Sequence, residues 1–290
     1  MSIVYCLLSI VLPIAYCLLP IVQCPFVMKL TLYQIDAFTN HLFGGNPAAV
    51  IPLDQWISES LMQRLAMENN LSETVFFVPS VKPDADYEIR WFTPEAEINL
   101  CGHATLASAF VLFHVMGYGY PAIRFQSKSG ILVVTKNFDK ISMDFPAWKP
   151  EPVTSYPTEL AAALGNIAIT SVYKYRDYLV EVADESIVQH CQPDFTLLKK
   201  LGHKVILTAK GNKADFVSRF FAPTVGVDED PVTGSAHSQL IPYWAEKLGK
   251  KSLFARQLSK REGELWCEYL GDRVTMAGQC VFFMKGDIDL

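Results

Sequence analysis

Arg90-Trp91-Phe92-Thr93-Pro94, followed by Gly102-His103-Ala104, is matched in the second half of the chain by Arg219-Phe220-Phe221-Ala222-Pro223, followed by Gly234-Ser235-Ala236. In each copy a helix-like stretch follows and stops at a glycine, Gly117 in one and Gly249 in the other, fifteen residues past the motif glycine. A strand end and a helix N-terminus therefore occur together twice, as two related half-domains facing each other across a cleft would require. Helix N-termini present free N–H groups and partial positive charge, so two of them converging suit a small anionic ligand.

Outward from these motifs, the chain from Met28 on alternates short strands with helices. In the first half, strands are expected over 30–38, 74–78 and 87–92, a helix over 58–67, and a hairpin over 130–136 and 140–145. The helix over 104–116 is apolar almost all round, which places it at the centre of its half. Three prolines between Pro146 and Pro152 deny both helix and central strand and mark the linker. Beyond it come helices over 158–164 and 195–201 and strands over 171–175, 178–182, 204–208 and 215–221. The second motif helix, kinked at Pro242, and four further strands complete the chain. The reading is an α+β fold of two pseudo-symmetric halves, 28–146 and 151–290, each a mostly antiparallel sheet wrapped around a central helix.

The 290 residues carry a formal net charge of −5 and no basic run, which excludes nucleic acid and an anionic membrane surface as partners. Three of the seven cysteines lie in the first 27 residues, and Cys101, Cys191, Cys267 and Cys280 form no metal-ligand spacing. A reduced, cytoplasmic enzyme without a metal is the simplest reading. Residues 1–27 differ from the rest, with no Lys, Arg, Asp, Glu or His. Their length suits a membrane span, but Pro13, Pro20 and Pro25 interrupt it, and a signal peptide would need a basic start. The heptamer CCTATTG, repeated in frame, encodes Pro-Ile-Ala-Tyr-Cys-Leu-Leu, the sequence of residues 13–19. The leader therefore reads as translated repeat DNA outside the fold, ahead of a start at Met28.

Glu73, in Leu71-Ser72-Glu73-Thr74-Val75-Phe76-Phe77, is an acid at the entry of a strongly apolar strand. It is either a solvated turn acid or a general base. The corresponding place in the second half, near His203-Lys204-Val205, has no acid. His103 is a first-turn residue or a proton relay. The second motif has three extra residues between proline and glycine, a stretch that includes Asp228-Glu229-Asp230. It is a solvated acidic loop, or one that turns Asp230 into the cleft. Gly102, Gly234 and Ser235 offer backbone N–H groups for an anion. Gly44-Gly45-Asn46-Pro47 is a tight turn or a substrate-contacting loop using the Asn46 amide.

Taken in order, Asp36-Ala37-Phe38, Gly45-Asn46-Pro47-Ala48, Ser72-Glu73-Thr74, Phe92-Thr93-Pro94, Cys101-Gly102-His103-Ala104-Thr105, Arg219-to-Pro223 and Glu229-to-Ala236 resemble the phenazine-biosynthesis PhzF-like family. That family belongs to the diaminopimelate epimerase-like fold. The resemblance runs from Met28 to the C-terminus and implies a cofactor-independent isomerase, usually a homodimer, acting on a small anionic substrate between its halves. It implies that Glu73 takes a proton from carbon and returns it elsewhere, with His103, Asp230 and Ser235 lining the site. The epimerase branch uses two cysteines, each before a motif glycine. Here Cys101 holds one place and Thr233 the other, so a two-thiol racemisation lacks its second base. A racemase using Cys101 and a non-catalytic binder that keeps the fold are the rival readings.

Overall fold

A computed structural model describes residues 28–290, and the expectations for the apolar leader lie outside them. Strand β1 (Lys29–Ala37) runs antiparallel to β2 (Asn46–Pro52). Helix α1 (Glu59–Asn69) starts where Ser58 accepts a hydrogen bond from the Leu61 N–H and ends at Asn70, which is left-handed with φ 49°. It lays Met62, Leu65 and Ala66 on the outer face of the sheet and returns the chain to β3 (Glu73–Pro79), parallel to β2. Next come β4 (Tyr87–Phe92), antiparallel to β3, and the short β5 (Glu97–Ile98). After α2 (Gly102–Phe110), β6 (Ala122–Ser127) pairs parallel with β4, and β7 (Gly130–Asn137) and β8 (Lys140–Pro146) complete a meander.

The second half repeats these pairings. After β9 (Glu151–Pro152) and α3 (Glu159–Ala163), β10 (Ile169–Lys174) is antiparallel to β11 (Tyr178–Val182). Helices α4 (Glu185–His190) and α5 (Phe195–Lys200), capped by Asp184 and Asp194, lead to β12 (Val205–Lys210), parallel to β11. Then β13 (Phe216–Ala222) is antiparallel to β12, with the short β14 (Val227–Glu229) beside it. After α6 (Gly234–Leu248), β15 (Ser252–Gln257) pairs parallel with β13, followed by β16 (Gly263–Tyr269) and β17 (Arg273–Gly278). The halves join where β8 and β17 run antiparallel.

The final strand, β18 (Cys280–Asp289), leaves the second half and pairs along the whole of β1. In the matching position after β8, the short β9, at the start of the second half, pairs with β10. Residues 280–289, grouped by sequence with 151–290, are thus hydrogen-bonded to the first sheet. Strand periodicity identifies a strand but not its neighbour, so this pairing lies beyond the pattern.

The two motif helices occupy the core. Every residue of α2 from His103 to Ala109 is buried, as are Gly234 and Ala236–Ala245 of α6. A helix apolar all round finds that environment only inside a sheet that curls about it, and each fully buried Leu, Ile or Phe contributes about 1.5–3 kcal/mol. The helix expected over 104–116 begins at Gly102, and its last turn, Val111–Val115, is π-helical with Val111, Leu112 and Phe113 all buried. No helix among the described residues is long and apolar enough to cross a membrane.

Candidate active site

The two central helices begin side by side. A Cβ added to Gly102 would stand 3.3 Å from the Cα of Gly234, and the reverse is equally true. Both first turns therefore aim their unpaired N–H groups at one place. That place is a cleft of about 490 Å³ between the halves, lined among others by Glu73, Cys101, Gly102, His103, Asp230, Gly234 and Ser235.

Glu73 opens β3, where pairing with Ala48 and the buried Thr74 that follows fix its backbone. Its Oε2 lies 3.0 Å from His103 Nε2, yet the contact is out of line for a hydrogen bond, and both atoms are buried without a hydrogen-bonding partner. Burial opposes a charge on His103, but negative charge at Cys101 and Glu73 outweighs it and raises the ring well above its ordinary value. The Cys101 thiol is pushed up to about 11 by burial and by Glu73, so it is protonated near neutrality and Glu73 is the ring's effective partner there. Glu73, Cys101 and His103 gather their ligand atoms within 4.8 Å of one another. However, Cys101 Sγ faces His103 Nδ1, at 3.5 Å, while Glu73 faces Nε2.

Asp230 turns inward from the acidic loop. Its Oδ1 accepts from Asn46 Nδ2 at 2.7 Å and its Oδ2 from the Thr233 hydroxyl at 2.5 Å. Burial pushes its carboxyl up to about 6, against the pull of His103 and with the help of the Glu73 charge. Gln257 donates to the Asp230 carbonyl at 2.7 Å and accepts from the Thr233 N–H at 2.9 Å, fixing the entry to α6. Asn46 is fully buried behind the cleft and also donates to the Val232 carbonyl at 3.0 Å, so its amide ties the halves together. The loop before it is clamped by Arg261, which reaches Asp36 at 2.8 Å and the Gly45 carbonyl at 2.9 Å. Gly45 has φ 62°, and a Cβ there would lie 2.1 Å from the Ala37 carbonyl oxygen, so the turn admits only glycine.

Asp228 and Glu229 have other fates. Asp228 is exposed, and Glu229 forms a two-pronged pair with Arg219 at 2.7 and 2.8 Å. Arg90 makes the corresponding pair with Glu97 in the first half. The arginines of the doubled motif thus anchor the strand that leads to each helix.

Trp148 from the linker, Arg176 before β11 and Lys204 before β12 also line the cleft without belonging to a sequence motif. Arg176 lies over the Trp148 ring at 4.8 Å, pairs with Asp177 and donates to the Ser235 hydroxyl at 3.0 Å. The proline run was legible as a linker, but only the fold returns Trp148 to the cleft, where its backbone N–H donates to the Ser238 carbonyl at 2.8 Å.

Residues 35–286 match the model of the phenazine biosynthesis-like protein family. Over 264 residues the chain is 50% identical to an uncharacterized isomerase of Pseudomonas aeruginosa, covering 91% of this chain and all of the relative. A crystal structure of a PhzF-family phenazine biosynthesis protein from Enterococcus faecalis superposes with a TM-score of 0.87 at 46% identity, over 91% of this chain and 100% of that one. A hydroxyproline epimerase from Agrobacterium vitis shares the fold alone, with a TM-score of 0.59 at 9% identity over 90% of this chain and 93% of that one. The diaminopimelate epimerase-like fold is thereby shown, and the chain belongs to the phenazine biosynthesis-like PhzF family and is an isomerase.

Proposed function

We propose that this isomerase moves a proton, and with it a double bond, in a small carboxylate bound in the cleft, with Glu73 as both acid and base. The observation that carries the reading is the pair Glu73 Oε2 and His103 Nε2, buried at the cleft wall without hydrogen-bond partners. Beyond their mutual charge contact at 3.0 Å neither atom has a hydrogen bond, so both keep hydrogen-bonding capacity for a ligand. Glu73 takes a proton from carbon, and the electron pair left behind spreads toward the substrate carboxylate. The N–H groups at Gly102-His103 and Gly234-Ser235 hold that enolate-type charge. Glu73 then returns the proton to the far end of the allylic system, with no net oxidation. A charged His103 steadies the developing anion, and Asp230, fixed by Asn46 and Thr233, orients the substrate from the other side.

Cys101 gives the racemase reading little support, because its thiol is buried and protonated and Thr233 stands at the second position. A homodimer is part of the proposal. Leu42, Phe43, Phe282, Phe283 and Met284 are exposed around the outer edge of β18, and Phe43 packs edge-on to Phe283. The described cysteines are all free, in keeping with a cytoplasmic location. The test is to follow solvent deuterium into a carbon position of the bound acid, with and without the Glu73 carboxylate.

A further inference from the structure

The pseudo-symmetry gives Glu73 a counterpart. Thr74 lies opposite Phe92 in the first half, and Val205 lies opposite Phe221 in the second. Phe92 and Phe221 hold the same place in the doubled motif, so the residue before each strand pair, Glu73 and Lys204, occupies the same place in its half. Both line the same cleft. Where one half presents an acid, the other presents an ammonium.

The Lys204 ammonium makes no hydrogen bond or ion pair with any described residue, although burial and the nearby Arg176 charge push its pKa below the ordinary lysine value. Arg176 spends Nε and Nη2 on Asp177 and Ser235, and its Nη1 has no partner among the described residues. Asp177, Asp230 and Glu73 offset part of that cost, but none pairs with the ammonium, so a partly desolvated lysine facing the cleft beside a second cation gains from an arriving anion. The helix N-termini already hold one carboxylate in the reading above, and Leu100, Phe145, Trp148 and Phe220 add apolar surface to the cleft lining.

We propose that Lys204, backed by the Nη1 edge of Arg176, is a second anion subsite, and that the natural substrate carries two anionic groups, with the second carboxylate or a phosphate seated at Lys204. This deepens the proposed proton shift and rests on the first carboxylate lying at the helix N-termini. Lys204 is then the residue that sets specificity, while Glu73 does the chemistry.

Calorimetric titration with two probes tests it: cyclohex-3-ene-1-carboxylate and cis-cyclohex-4-ene-1,2-dicarboxylate. The wild-type protein is expected to bind the dicarboxylate about tenfold or more tightly than the monocarboxylate, as one charge-assisted contact implies. Lys204→Met should remove that preference and leave monocarboxylate binding unchanged, while Lys204→Arg should retain it. Equal binding of the two probes by the wild type, equal weakening of both by Lys204→Met, or no binding of either would overturn the subsite. Circular dichroism of each variant separates these outcomes from loss of fold. Repeating the titration with Glu73→Gln separates the two proposals, because the subsite predicts an intact dicarboxylate preference whether or not Glu73 proves to move the proton.

Discussion

Gly102 and Gly234 meet with no room between them for a methyl group on either one without movement. This contact brings the first turns of α2 and α6 side by side, the arrangement that the proposed function uses as one anion site. A branched side chain must push the helices apart. Gly234→Val is expected to destabilise the protein by about 1–3 kcal/mol and Gly234→Ala by less. Urea unfolding measures the stability, and calorimetry with a carboxylate probe should show the valine variant losing affinity more than the alanine variant.

Asp230 makes stability depend on pH. In the unfolded chain its carboxyl titrates near 3.8, and in the folded chain burial raises it to about 6. Between those values the folded state holds more protons, so stability falls as pH rises through this window, and the loss is complete above about 6. Asp230→Asn lacks this titration. The stability difference between wild type and variant should therefore shift toward the variant from pH 4 to pH 7, on the order of 1–3 kcal/mol. Urea unfolding at the two pH values reads it, and a difference that stays constant would contradict the buried charge.

Cys101 is buried and its thiol pKa is about 11. Iodoacetamide at neutral pH should leave it unlabelled in the folded protein, as read by peptide mass spectrometry. Cys101→Ala should retain deuterium exchange within about tenfold of wild type, since the thiol neither accepts nor gives the substrate proton. Loss of exchange with the fold intact would restore the thiol reading.

Arg219 and Arg90 hold matching places but unequal stakes. Glu97 keeps a second cation, Lys128, at 2.5 Å, whereas Glu229 has Arg219 alone among the described residues. Arg219 also donates to the Val188 and Cys191 carbonyls, at 3.3 and 2.7 Å. Arg219→Ala should cost about 3–5 kcal/mol, and Arg90→Ala clearly less, in chemical denaturation.

Much of this was legible in the sequence. The doubled motif placed both central helices, and apolarity all round α2 put it at the core. The Asn-Pro, Ser-Glu-Thr and Gly-His-Ala segments pointed to Asn46, Glu73 and His103. What stayed hidden depends on contacts between residues distant in the chain. The pairing of β18 with β1, the clamp of Arg261 on Gly45, and the return of Trp148 and Arg176 to the cleft leave no periodic trace. The stretch around Lys204 was visible as the counterpart of Glu73 without an acid, but which residue matches Glu73 required the register of β3 with β4 and of β12 with β13. In the sequence, Gly44-Gly45-Asn46-Pro47 read as a tight turn or as a loop using the Asn46 amide to contact substrate. The fully buried position of Asn46 behind Asp230 appears only once the halves are joined.

The most direct measurement is deuterium incorporation in D2O, by NMR, into cis-cyclohex-3-ene-1,2-dicarboxylate, whose C2–H is both allylic and α to a carboxylate, comparing wild type with Glu73→Gln at equal ligand occupancy. The account predicts exchange by the wild type and a loss of about a hundredfold or more in the variant, with fold and binding retained, because general acid–base catalysis contributes about 10²–10⁴. Exchange at the wild-type rate by Glu73→Gln would contradict the assignment of Glu73 as the proton carrier.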